Sequence, residues 1–354
     1  MTSVALSQDE SFICSGSKDN SVIYWDIETQ KKTTLKQHWT RKNSPTTQSS
    51  SGEVLAVAIS HDGKYIVSGG RDNIIRIYDK RLPIETNQIK TFQGHRDTIT
   101  SLSFRYDTYT LFSGSLDRTL KHWDLTEMAY IETMFGHQEG VLAIDCYKKN
   151  KPISVSSDRT TRLWSIEGES HLVYRYKPSS VECIRYIADD KFITGAQNGM
   201  ISLWKATQKK PLYSVYNAHG IEGISPRWVT SVSSMRMSDL VLSGSYDGFV
   251  RFWQLGSADS VAPLTHAGGG AGGKAAHTTH TTTNSTGTGS HTSNSSHIPK
   301  LGLKFEYPIE GFVNDMVNTN RLIVIGVGKE HKYGRWWNIK QACNDVVLLK
   351  LQSS

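Results

Sequence analysis

The sequence predicts an all-β protein: a single seven-bladed β-propeller spanning residues 2–354, with a disordered low-complexity loop at 256–300 inserted between strands. Three observations point there. One short unit recurs along the chain, each copy alternates on the two-residue period of a strand, and one stretch has a composition that cannot build a core.

The recurring unit is a small-residue strand, a tight turn carrying Asp, and a second strand ending in Trp. Its copies read SGSKDNSVIYWD around Asp19, SGGRDNIIRIYD around Asp72, SGSLDRTLKHWD around Asp117, SVSSDRTTRLWS around Asp158, TGAQNGMISLWK around Asn198 and SGSYDGFVRFWQ around Asp247. The turn residues lie 53, 45, 41, 40 and 49 positions apart, the period of a four-stranded blade with loop insertions. No long stretch shows the 3.6-residue stripe of a helix. The C-terminal part supplies a seventh, irregular copy, with strand candidates at Val313–Val317, Leu322–Val327, Arg335–Ile339 and Val346–Leu351, the last expected to be the outer strand that closes the ring. A blade cannot cover both of its faces alone, so stacking around an axis is what stabilises the set.

From Gly256 to Lys300 the chain collapses into Gly, Ala, Ser, Thr, Asn and His, too little apolar surface to offset the entropy of ordering. Five His lie there, at 266, 277, 280, 291 and 297, without the regular spacing of a metal site, and no metal or cofactor is expected. The polar stretch from Thr40 to Gly52 reads as a second solvated loop.

Composition narrows the function classes. Hydrophobic residues make up 37% and charged residues 21% of 354, so most of the chain folds, and 40 Lys and Arg against 33 Asp and Glu lean toward polyanionic partners. Cys14, Cys146, Cys183 and Cys343 are scattered with no C-x-x-C pair, the usage of reduced intracellular thiols. No signal-peptide core and no apolar run of membrane-spanning length appears. GVGK at Gly326–Lys329 is followed by Glu330 and lacks the hydroxyl residue of a phosphate loop, and no other catalytic fingerprint is present.

The repeats resemble those of WD-repeat proteins, over nearly the whole chain outside the insertion. What the resemblance implies is a buried tetrad in each well-formed blade: His before the inner strand, Ser or Thr, the turn Asp and the Trp. The best-matched sets are His95, Ser113, Asp117 and Trp123, and His137, Ser154, Asp158 and Trp164. Ser, His and Asp also form enzyme triads, but recurrence at fixed spacing is architecture, whereas a catalytic set occurs once. No enzyme is expected. Blade five has Asn198 for Asp and no matching His, and blade two has Tyr78 for Trp, so their tetrads are expected to be weak or absent.

The most distinctive segment is KEHKYGRWWNIK, Lys329–Lys340, where four Lys or Arg alternate with Tyr333, Trp336 and Trp337 against one acid, Glu330. Ammonium and guanidinium groups neutralise phosphates, and rings or a guanidinium plane stack on unpaired bases, so this pattern suits RNA. The competing reading places Trp336 and Trp337 in the core, where the tetrad Trp of this blade belongs. The RNA-binding candidates are Lys329, Lys332, Arg335, Trp336 and Lys340, with Arg227 and Trp228 as a second patch. Arg118 and Arg159, each after a turn Asp, are expected on the surface.

VGKEHKYGRWWNIKQA, together with FGHQEG at 135–140, AHG at 218–220, WVTSV at 228–232 and GFVNDM at 311–316, resembles the WD-repeat family of the U3 small nucleolar ribonucleoprotein. The resemblance implies a nucleolar propeller that binds the box B/C region of U3 small nucleolar RNA beside a small kink-turn-binding protein. It would sit among other small-subunit processome proteins and act in 18S pre-rRNA processing, with no membrane partner. Members of that family carry a charged N-terminal extension, whereas this sequence starts in the first blade's inner strand at Thr2–Leu6. The alternative is a protein-only adaptor such as a ubiquitin-ligase substrate receptor, suggested by Tyr78-Asp79-Lys80-Arg81, which approximates a W-D-x-R signature.

Overall fold

The computed structural model describes residues 1–35, 52–84, 86–175, 179–256, 300–334 and 338–351. Alternating apolar residues in the repeats produce seven antiparallel sheets, six of four strands and a last one of three, with a short hairpin, Ile221–Glu222 with Ser225–Pro226, standing between the fifth and sixth. Inner strands touch in sequence: Ser3–Leu6, Val54–Ile59, Ile99–Phe104, Val141–Asp145, Val181–Ala188, Ser231–Ser234 and Phe312–Asn318, and the last returns to the first. The ring is closed. At the closure Asp315 accepts hydrogen bonds from the Ser3 hydroxyl at 2.8 Å and the Val4 amide at 3.1 Å.

The core lies between blades. Phe12, Val54 and Ile66 fill the junction of the first two, Phe192, Tyr174 and Trp204 that of the fourth and fifth, and Val313, Ile323 and Val250 that of the sixth and seventh. A glycine in six of the seven second strands allows the approach, the fourth blade having Val155 instead. A Cβ on Gly114 would sit 2.7 Å from Ile144, and one on Gly244 2.3 Å from Val313, both on the next inner strand. A recurring hydroxyl ties the same junctions: Thr100 Oγ1 lies 3.1 Å from the Gly114 carbonyl and 2.7 Å from that of Val141 in the next blade, and Thr2 and Thr230 repeat the arrangement.

Two expectations change in the last blade. The third-strand candidate Arg335–Ile339 falls partly outside the described residues, and the strand that pairs with Leu322–Gly328 is Asp345–Lys350. In that register Leu349 stands opposite Ile323, as Trp123 stands opposite Leu111 in the third blade, so Leu349 takes the tetrad Trp position that Trp336 and Trp337 were expected to fill. Among the described intervening residues, Glu330 and Asn338 form an isolated bridge. The sixth blade's third and fourth strands pair up to Gly256 and Lys300, so the insertion joins them; residues 257–299, and most of the 40–52 loop, lie outside the described residues. No helix of the described residues is long and apolar enough to cross a membrane.

Candidate nucleic-acid interface

The turns of the repeats define one face of the ring, and the chemistry of that face begins with the buried networks beneath it. In the third blade His95 lies with Nδ1 2.9 Å from Asp117 and Nε2 2.8 Å from Ser113 Oγ, which accepts the Trp123 indole N–H at 2.8 Å. The fourth repeats it through His137, Asp158, Ser154 and Trp164. An ionised carboxylate fixes the imidazole tautomer, the imidazole accepts from the hydroxyl, and the hydroxyl accepts from the indole, so every buried polar atom is used. Burial works against the Asp117 and Asp158 charges, but hydrogen bonds from the His and from Thr119 or Thr160 prevail and hold both well below the usual carboxylate range. Burial likewise lowers His137 against the raising effect of Asp158.

A third complete set occurs in the sixth blade: His219, Asp247, Ser243 and Trp253, with His219 Nε2 2.8 Å from Ser243 and the Trp253 indole 2.8 Å from the same hydroxyl. Arg251 joins Asp247 there and reaches Glu306 at 2.7 Å. Among the described residues the fifth blade keeps the Trp204–Thr194 bond, 2.9 Å, and the first the Trp25–Ser15 bond, 3.1 Å. Arg118 and Arg159 adopt the left-handed backbone of the turn, φ 72° and 64°, where the fifth and sixth blades have Gly199 and Gly248.

The last blade has no such network, since Ile325 replaces the Ser and Leu349 the Trp. Instead, the excursion after Gly328 lies over the axial channel on the turn face. Lys18, in the first blade's turn, donates to the carbonyls of His331 at 2.6 Å and Gly334 at 2.9 Å and meets Glu330 at 3.3 Å. Asn314 donates to the Glu330 and Met1 carbonyls and accepts from the Lys332 amide. Tyr333 crosses the channel to donate to the Leu142 carbonyl of the fourth blade at 2.8 Å. His331 is buried between Trp228, Phe312 and Tyr333, their ring centroids 6.0, 6.2 and 5.6 Å away, and burial together with the Lys332 and Lys18 charges pulls it down to about 3.

The candidate residues therefore separate. Lys329 and Lys340 are exposed on the turn face. Lys332 turns inward: it lines a cavity of about 60 Å³ on the axis with Cys183, Arg185 and Asp315. Burial alone would lower its ammonium, but Tyr333, Asp315 and Glu182 together raise it. It stays charged inside because Asp315 and Glu182 face it; Glu182 is held by Gln197 at 2.6 Å and Ser180 at 3.1 Å. Arg335 and Trp336 lie outside the described residues. Arg227 is half-buried, its Nε 3.7 Å from Glu222, and Trp228 is half-buried against His331, which joins the second patch to the first. Arg81 of the adaptor-like signature is folded back on Asp79 at 2.7 Å.

Tyr333 was noted in the sequence as an aromatic of the basic segment, but its part in a clamp with Lys18 and Asn314, and the tetrad role of His219, were not singled out. The AHG tripeptide carried a signal for His219; the clamp residues had none beyond their place in turns and strand ends. What the face offers chemically is fixed cations beside aromatic surface, on a loop held by four blades.

The chain matches the family described as WD domain, G-beta repeat (WD40), at residues 1–26, 41–79, 86–124, 129–165 and 210–254. It is 32% identical over 375 residues to an Arabidopsis thaliana protein named U3 snoRNP-associated protein-like EMB2271, covering all of this chain and 69% of the relative. It is also 32% identical to human U3 small nucleolar RNA-interacting protein 2, covering 99% of this chain and 67% of that protein. Among solved structures, the one titled Crystal structure of RRP9 WD40 repeats superposes with a TM-score of 0.81 at 32% identity, covering 99% of this chain and 94% of that one.

Proposed function

Because the chain belongs to the WD40-repeat family of U3 snoRNP-associated proteins, a family of non-enzymatic scaffolds, we propose that it is an RNA-binding component of the U3 small nucleolar ribonucleoprotein. In this reading it recognises the box B/C region of U3 RNA, next to a small kink-turn-binding protein, and acts in 18S pre-rRNA processing in the nucleolus. The observation that carries it is a pair of exposed cations, Lys329 and Lys340, flanking a stretch whose residues Glu330–Gly334 are held by Lys18, Asn314 and the Tyr333 contact with Leu142. A rigid support spares the ordering entropy that a mobile basic tail would lose on binding RNA. Trp228 and Arg227 extend the same surface toward the sixth blade.

The test has two arms. Crosslinking in cells followed by sequencing is expected to enrich U3 RNA at box B/C; recovery of a ligase scaffold without RNA would favour the adaptor instead. In binding measured against salt, Lys329→Ala with Lys340→Ala is expected to weaken U3 RNA association and to lower the log–log slope by about 1.4–1.8, two phosphate contacts at ~0.7–0.9 each. An unchanged affinity and slope would move the interface off this loop.

A further inference from the structure

The axial channel opens at its other end, on the face away from the turns, into a funnel of about 520 Å³, within the range of pockets that hold a ligand. We infer that this funnel is a docking site for an extended protein segment bearing acidic side chains. Its most distinctive wall is a pair of rings, Tyr106 and Tyr147, with centroids 5.6 Å apart. Two cations share them. The Arg236 guanidinium lies 4.9 Å from the Tyr147 centroid and 5.7 Å from that of Tyr106, and the Lys148 ammonium 5.5 and 5.8 Å from the same rings. Arg105 joins them, its Nε donating to the Lys148 carbonyl at 3.0 Å. Tyr106 is itself fixed by Gln8, whose amide lies 2.7 Å from the phenol.

The charge around these rings is unbalanced. Asp145 is the acid packed against them, and it is partly committed: it accepts the Tyr186 amide at 2.7 Å and stands 3.9 Å from Arg236. Asp107, at the rim, is 3.7 Å from His61, and deeper in the channel Arg185 is paired with Asp315 at 3.2 Å. Arg105 and Arg236 line the funnel with Lys148 beside the same rings, and the carboxylates on that wall are Asp145 and Glu10; three cations against two acids leave a place for a carboxylate from outside.

The remaining walls favour a peptide over a nucleic acid. Leu6, Ile59, Phe104 and Val317 supply apolar surface. The tyrosine faces are already covered by the protein's own cations, which removes the stacking platform a base would need. This site is on the opposite face from the RNA loop and stands or falls separately from it.

The experiment is selection of a displayed library of random twelve-residue peptides on the intact chain, with affinities of the selected peptides read by fluorescence anisotropy. Enriched peptides are expected to place Asp or Glu beside apolar residues. Arg236→Glu with Lys148→Glu should weaken them at least tenfold, and Lys329→Ala with Lys340→Ala should leave them unchanged. Should the charge reversal lower the unfolding temperature, Arg236→Gln with Lys148→Gln is the substitute, with a loss of several-fold expected. Enrichment without acidic residues, binding indifferent to both cation variants, or a single-stranded RNA oligomer binding in a manner that depends on Arg236 and Lys148 would each overturn the inference.

Discussion

The sixth and seventh blades pack against each other, yet they fasten the turn face by different means. In the sixth, His219, Asp247, Ser243 and Trp253 form a closed network inside one blade, with Arg251 and Glu306 extending it. In the seventh the corresponding interior is apolar, Ile325 and Leu349, and the fastening is done by contacts arriving from elsewhere: Lys18 from the first blade, Trp228 from the sixth and the Leu142 carbonyl from the fourth. The first arrangement is local in sequence and repeatable. The second joins residues that lie up to 316 positions apart, and it frees a loop of sixteen residues between Gly328 and Asp345 from strand duty. A blade that gives up its tetrad can therefore carry a binding loop, provided its neighbours hold that loop still.

The comparison is tested most severely at Asp247. Its carboxylate is nearly inaccessible, 1% exposed, and serves His219 and Arg251 together. Asp247→Ala leaves the buried His219 imidazole without its carboxylate and Arg251 with Glu306 alone, an expected loss of about 3 kcal/mol, measurable as a fall in the urea midpoint. Asp19→Ala is the control: Asp19 bonds Ser17 and Ser21 of its own turn, the latter through its amide at 3.0 Å and its hydroxyl, so the expected loss is about 1 kcal/mol. Equal losses would mean that the closed network adds nothing beyond a local turn.

Legibility in the sequence follows the same division. The repeated turn Asp, the Ser four residues before it and the aromatic six after it are visible because each blade solves the same local problem in the same number of residues. His219 escaped because the Ile221–Pro226 hairpin stretches the His-to-Ser separation to 24 residues, against 18 and 17 in the third and fourth blades. The third strand of the last blade was placed too early because the tetrad-like aromatic pair at Trp336 and Trp337 precedes the real strand, Asp345–Lys350, whose Val and Leu carry no such mark. Lys332 reads as a surface charge by type. Its inward course depends on Asp315 and Glu182, which are 17 and 150 positions away and announce nothing in the sequence.

Acid should loosen the two fastenings differently. His331 is 3% exposed and its folded pKa is pushed down to about 3, so it stays neutral in the fold while the unfolded chain takes up a proton below about 6.5. The stability it contributes is complete above about pH 6.5 and declines as pH falls from there toward 3, by up to ~1.4 kcal/mol per pH unit. Asp117 and Asp158, also depressed, lose their contribution only below about pH 4, where the unfolded carboxylates protonate. His137 and His219, lowered by burial, share the upper window. His331→Gln should therefore flatten the fall in unfolding temperature between pH 6.5 and 4.5 without removing it. An identical profile for the variant would show that the loop is not held by a neutral His331.

The smallest effect separates the loop's position from the stability of the ring. Tyr333 reaches across the axis with a single hydrogen bond, and its phenol, pushed up to about 12 chiefly by burial, remains a donor at any working pH. Tyr333→Phe keeps the ring that packs on His331 and removes that bond together with the phenol's hydrogen bond with Lys332, a cost of about 1 kcal/mol. If the bond positions the loop, faster exchange should appear at the Gly334 and Ile339 amides, which donate to His331 and Lys329 carbonyls within the loop, while the amides of Phe112 and Val155 in the second strands exchange as before. The same variant should weaken RNA binding a few-fold with an unchanged salt slope, since no phosphate contact is lost. Uniformly faster exchange in the sheets as well would place Tyr333 in the general stability of the ring, and the division of labour between tetrad blades and the loop-bearing blade would not hold at this residue.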